Sequence, residues 1–158
     1  MFNDLLKDIT KSGFHAEMHP KSDQIPFPQI WMTLGTHIMQ IRDHVEKIPS
    51  EERPMSGSDI HFFEFFITFP YEIKRELFND AARLASLINK STPIGNFFLS
   101  EADHALVFQY TYPTTKLDQR EIDSVLHLLL YSTESFSSYV KEFAEKKISY
   151  DELITRVN

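Results

Sequence analysis

Metal binding or acid-base catalysis needs side chains of the right type at spacings that let them converge, and the seven histidines are the first candidates. His15 and His19 lie four apart, the spacing that aligns two zinc ligands on a helix. Phe14, Ala16 and Met18, however, alternate with His15, Glu17 and His19, a strand pattern in which residues four apart are about 13 Å from each other. Those two cannot chelate one ion. His37 and His44, seven apart, fall on opposite faces of an uninterrupted strand, and so do His61 and Glu64. The spacings favour surface or edge histidines over metal ligands.

Nucleophilic chemistry fares no better. Ser100, His104 and His127 can be combined on paper with Asp103 or Asp123 into a triad, but nothing in the sequence brings them together. There is no Gly-x-Ser-x-Gly elbow and no His-Glu-x-x-His pair, and four glycines in all leave no phosphate-cradling loop. The absence of cysteine excludes disulfides, thiol catalysis and thiolate metal sites, and fits a reducing cytoplasm. Glu51 and Glu52 stand beside each other in a proline-containing loop and read as a solvated pair. The expectation is a protein without catalytic activity, metal or cofactor.

Charge narrows the partners. With 23 acidic against 16 basic residues, net charge -7, the chain lacks the positive field that nucleic acid or an anionic membrane surface requires. No apolar run approaches the roughly 18 residues of a membrane span, and the amphipathic start, Met1 to Ile9, carries acids and does not resemble a secretory signal. The 14 Phe, 6 Tyr and 1 Trp exceed what a minimal core of 158 residues requires, leaving aromatic surface for a partner.

The elements that must position these residues follow from periodicity. Phe2, Leu5, Leu6 and Ile9 predict a short helix ending near Ser12, with Gly13 at its C-terminal turn. A half-buried strand pattern then runs from Phe14 until Pro20. From Gln29 to Val45 the chain is β-rich, Ile30, Met32 and Leu34 facing one way and Gln29, Trp31 and Thr33 the other, with Gly35 marking either a bulge or a hairpin turn. The segment 46–58 is the most loop-like. Asp59 to Phe69 is the strongest strand, its odd side (His61, Phe63, Phe65, Ile67, Phe69) core-facing. Pro70 and Tyr71 open a helix bearing Ile73, Leu77, Phe78, Ala81, Leu84, Ala85 and Ile88. Two strands follow, Gly95 to Leu99 and Ala105 to Tyr112, joined across Ser100 to Asp103. Asp118 and Glu121 then form a capping box behind Leu117, a hydrophobic staple, and begin a long helix; Ser149 and Glu152 cap a last short one. The whole predicts a single α+β domain: one antiparallel sheet with helices packed on one side, in the order α, two to three β, a long β, α, β, β, α, α.

The helix residues Ala81, Leu84, Leu87 and Ile88 lead into Asn89, then Gly95-Asn96-Phe97-Phe98-Leu99, then Ala105 to Tyr110, then the capped helix with Ile122, Leu126 and Leu129. This arrangement resembles the YbjN-like family, which shares the fold of the class I type III secretion chaperones. The resemblance covers the second half of the chain by motif and the first half by element order. It implies a small cytoplasmic bacterial protein, dimeric, that binds protein segments and has no enzymatic activity. The turn Ser100 to His104 departs from the family by lacking an Asp-Gly pair.

The facing pattern supplies the candidate site. If Ile30, Met32, Leu34, Phe63, Phe65, Ile67, Leu106 and Phe108 lie under helices, then Trp31, Phe62, Phe66 and Val107 point from the opposite face, among Glu64 and Gln109. Such a face would bind a partner polypeptide or a second copy of the chain, unless the first helix or the second half of the long helix covers it. The alternative is a small-molecule regulatory domain with the ligand between the sheet and the 46–58 loop.

Overall fold

The computed structural model describes residues 2–23, 25–46, 60–113 and 118–157. Helix α1 (Phe2–Lys11) is followed by strands β1 (Ala16–His19), β2 (Gln29–Leu34), β3 (His37–Glu46) and β4 (Ile60–Thr68). Helix α2 (Phe78–Asn89) crosses to β5 (Asn96–Ser100) and β6 (Ala105–Pro113), and α3 (Gln119–Ala144) and α4 (Tyr150–Val157) complete the chain. The strands form one open antiparallel sheet in the order β1-β2-β3-β4-β6-β5. The α+β architecture is therefore the expected one. Four strands precede α2, because the stretch from Gln29 to Val45 is two strands and not one.

Gly35 is a hairpin turn. Leu34 pairs with His37, which leaves Gly35 and Thr36 as the two loop residues. Gly35 has φ +60° and Thr36 is not among the positive-φ residues, the signature of a type II′ turn with glycine first. A Cβ at Gly35 would also meet Glu134 Oε1 and Leu130 of α3, so the turn is closed down onto the helix.

The sheet pairs its core side chains in rows. Ala16, Met32, Met39, Ile67, Phe108 and Phe97 are register neighbours across all six strands, and Met18, Ile30, Ile41, Phe65 and Tyr110 form the next row. Phe63, Phe65, Ile67 and Phe69 are almost fully buried, each such side chain contributing roughly 1.5–3 kcal/mol. They join Leu5 and Ile9 of α1, Leu84 and Ile88 of α2, Ile122 to Val140 of α3 and Leu153 of α4 in one core cluster.

The approach to α2 differs from expectation. Residues after Pro70 are irregular, a single 3-10 turn spans Arg75–Leu77, and the α-helix begins at Phe78. Ile73 is buried, but a hydrogen bond from its N–H to the His104 carbonyl holds it, not helical geometry. His104 itself takes φ +52° in the β5–β6 loop, supplying the left-handed residue that a glycine usually provides. The long helix opens on the predicted capping box, Asp118 accepting from the Glu121 N–H while Glu121 accepts from the Asp118 N–H. Its staple residue, Leu117, lies outside the described residues.

Asn89 explains how the outer edge of β5 is closed. Its Nδ2 donates to the Phe97 carbonyl at 2.9 Å and its Oδ1 accepts from the Phe97 N–H at 2.6 Å, so one side-chain amide replaces a residue of a neighbouring strand. Asn89→Ala leaves both backbone groups of a buried residue unpaired and is expected to lower stability by about 1–3 kcal/mol in urea unfolding. Asn89→Asp, which can accept but not donate, is expected to recover little of it. A loss below about 0.5 kcal/mol for Asn89→Ala would mean that water satisfies the edge.

Candidate functional site

Beginning with the residues singled out for chemistry, the structure separates most of them. His15 is exposed and within 3.3 Å of Glu17, whereas His19 packs against the Trp31 ring, 4.7 Å between centroids. Ser100 Oγ donates to Asp103 Oδ2 at 2.6 Å, His104 stands edge-on to Phe78, and His127 Nδ1 bonds the Asp123 backbone carbonyl. Ser100 and His127 thus engage unrelated partners. Asp123 is held by Ser12 and Gln119 at the junction of α1 and α3. Among the described residues no three His, Asp or Glu side chains are grouped to hold a metal ion. Glu51 and Glu52 lie outside the described residues.

His37 is a correction. Spacing grouped it with the surface or edge histidines, but it is 0% exposed, on the helix-covered face at the head of β3. It is there because the turn at Gly35 resets the alternation: Leu34 and His37 are cross-strand neighbours and share the core face. Its ring stands edge-on to Phe69 at 4.6 Å. Nε2 lies 3.4 Å from Ser137 Oγ, which lies 3.2 Å from the Tyr71 hydroxyl, and Nδ1 lies 3.6 Å from Glu134 Oε1. The order Glu134, His37, Ser137 has the connectivity of a hydrolase triad. Ser137, however, is buried in mid-helix, where its own N–H serves the helix. Burial pushes the His37 imidazole below its ordinary pKa of 6.5, with the Glu134 charge and the Leu34 backbone partly opposing.

The other face of the sheet holds the predicted partner-binding residues. Register places Glu17, Trp31, Gln40, Phe66, Gln109 and Asn96 in one row across the six strands. Thr33, Ile38, Thr68, Val107 and Phe98 form a second row, His19, Gln29, Arg42, Glu64 and Thr111 a third, and His44, Phe62 and Pro113 a fourth. Trp31, Phe62, Phe66 and Val107 therefore share one face, as expected. None of them belongs to the core cluster or packs against it, whereas Leu5 and Ile9 of α1 and Val140 and Phe143 of α3 do. Those helices cover the opposite face.

Within this face the exposures differ. Val107, flanked by Thr68 and Phe98, is only 5% exposed and offers little surface. Trp31, Phe62 and Phe66 are half-buried by their neighbours, and Ile38, which sequence reasoning passed over, is 53% exposed. Even-numbered parity with Gln40 and Arg42 on β3 would have found Ile38 once the turn at Gly35 was known. Polar groups brace the aromatics: Trp31 Nε1 donates to Gln29 Oε1 at 2.7 Å, the Arg42 guanidinium lies 4.5 Å over the Phe66 ring, and Arg42 donates to Gln40.

Shallow grooves occur elsewhere. One of about 320 Å³ lies between β6 and α3, lined by Tyr110, Tyr112, Arg120, Glu121 and Leu128. Burial and then the Glu121 charge raise the Tyr112 phenol there. The loop invoked for a small-molecule site, 46–58, falls almost wholly outside the described residues. No helix among the described residues is long and apolar enough to cross a membrane. Comparison of the chain with models of known families, with curated proteins and with solved structures finds no match.

The brace on Phe66 has a measurable consequence. Arg42→Ala removes both the guanidinium over the ring and the aliphatic stem, and is expected to cost about 0.5–1 kcal/mol in urea unfolding. Arg42→Met, which keeps the stem, should recover part of that loss; equal stability of wild type and Arg42→Ala would mean the stacking contributes nothing.

Proposed function

We propose that the protein is a non-enzymatic binding module that holds a partner polypeptide, and forms a homodimer, through the face of the sheet turned away from its helices. The observation that supports this is the juxtaposition of Trp31, Phe62, Phe66, Ile38 and Phe98 on a face to which none of the described helices contributes core contacts. An apolar, aromatic surface mixed with Gln40, Gln109, Arg42 and Glu64 has the composition of an interface, not of a solvated sheet. The open sheet face suits an extended segment whose side chains lie between the aromatic rows.

A chaperone-like role of the kind implied by the YbjN-like resemblance is the biological form of this reading, and it carries with it a cytoplasmic, bacterial setting. The net charge of -7 fits a partner other than nucleic acid.

Phe66→Asp places a carboxylate in the middle of the face while leaving the core untouched, and Trp31→Ala and Phe66→Ala trim it. Each is expected to keep the wild-type circular dichroism and to weaken association, by about 2 kcal/mol or more where the side chain is a hot spot. Light scattering reads the dimer and pull-down reads the partner. Wild type and Phe66→Asp found equally monomeric, with no partner recovered by either, would sink the proposal.

A further inference from the structure

We propose that His37 is a proton-operated latch that holds the β2–β3 hairpin against α3 and releases it on acidification. The hairpin meets the helix where Gly35 and Leu34 turn the chain under Glu134 and His37 enters the core. From α3 come Glu134 and Ser137, from β4 the ring of Phe69, from the connector after β4 Tyr71 through Ser137, and from β2 the Leu34 backbone. Among the described residues no lysine or arginine contributes to its charge environment.

The hydrogen-bond chain has a direction. A carboxylate only accepts, so the neutral ring carries its proton on Nδ1, toward Glu134, and leaves Nε2 to accept from the Ser137 hydroxyl. Ser137 in turn accepts from Tyr71. At 3.6 Å the Nδ1 to Glu134 contact is longer than a hydrogen bond, so the neutral ring is held by Ser137, by the Leu34 backbone beside it and by packing. A second proton must bind at Nε2. Ser137 then becomes the acceptor, its own hydrogen must turn to Tyr71, and the chain reverses toward the half-buried phenol. The new charge sits in a fully buried site with a single carboxylate beyond hydrogen-bond reach, and that carboxylate is 45% exposed and attracted to water. Opening the hairpin from α3 hydrates the imidazolium.

The sign follows from linkage. A histidine whose folded-state pKa lies below 6.5 binds fewer protons in the folded than in the opened state. Its contribution to closure is complete above that ordinary value and is lost as pH falls through it toward the folded pKa. Because β2 and β3 carry Trp31, Ile38, Gln40 and Arg42, opening the hairpin also dismantles that part of the uncovered face.

Hydrogen exchange of the intact protein at about pH 7.5 and about pH 5, corrected for intrinsic rates, tests this without any partner. Expected is a loss of protection in Met32 to Ile41 and in Thr133 to Ser137 at the lower pH, with β5 and α2 retaining theirs. His37→Gln should abolish the difference, and Glu134→Gln should enlarge it, since the carboxylate is what favours the charged ring. Hairpin amides that follow those of α2 at both pH values would overturn the latch, as would an NMR titration of the His37 ring at or above 6.5. Should His37→Gln fail to fold, Glu134→Gln decides, and an unchanged or smaller pH effect in that variant also overturns it.

Discussion

Six strands present two faces, and the apolar stripes of the helices close one of them. That constraint governs the rest of the molecule. Phe63, Phe65, Ile67 and Phe69 on the central strand β4 must be dehydrated, and Ile9, Leu84, Leu126 and Leu153 from four different helices converge in the same cluster. With those stripes committed, the side chains of opposite parity among the described residues pack laterally on one another: Arg42 over Phe66, His19 against Trp31, Gln29 on the indole nitrogen. The result is a face half-dehydrated by its own neighbours, a state intermediate between core and solvated surface.

Two polar groups on the covered side sit at backbone discontinuities. The hairpin at Gly35 brings His37 inside, and α3 answers with Ser137 and Glu134; the end of α2 brings Asn89 to the edge of β5, and its amide completes the strand. Asn89 pairs both of the backbone groups it meets, whereas His37 leaves Nδ1 beyond hydrogen-bond reach of Glu134, and the two differ in consequence. Asn89 is uncharged and permanently satisfied. His37 titrates, so the junction it closes depends on pH.

Much of this was legible in the chain. Alternation in Ile30 to Leu34 and Phe63 to Phe69 and the 3.6-residue stripes of α2 and α3 assigned the core face, and by parity they also assigned Trp31, Phe62, Phe66 and Val107 to the other one. The capping box at Asp118 and the cap at Ser149 marked two helix starts to the residue. His37 was misread because its face depends on whether Gly35 makes a bulge or a two-residue turn, and a single-residue difference there moves every following side chain to the opposite face. The helical reading of Ile73 failed for a related reason: an apolar side chain at helical spacing is compatible with an irregular connector when a distant carbonyl, here that of His104, takes its N–H.

By itself the sequence determined the class of the fold, the two sides of β4, the absence of thiol chemistry and an acidic surface, since these depend on local periodicity and composition. Tertiary structure decided what those local choices met across long separations. It set the strand order that inserts β6 between β4 and β5, the turn that buries His37 one hundred residues from Ser137, and the side of the sheet on which α1 and α3 come to rest. Periodicity tells which side chains avoid water, but the partners that exclude it are fixed only when the whole chain has closed.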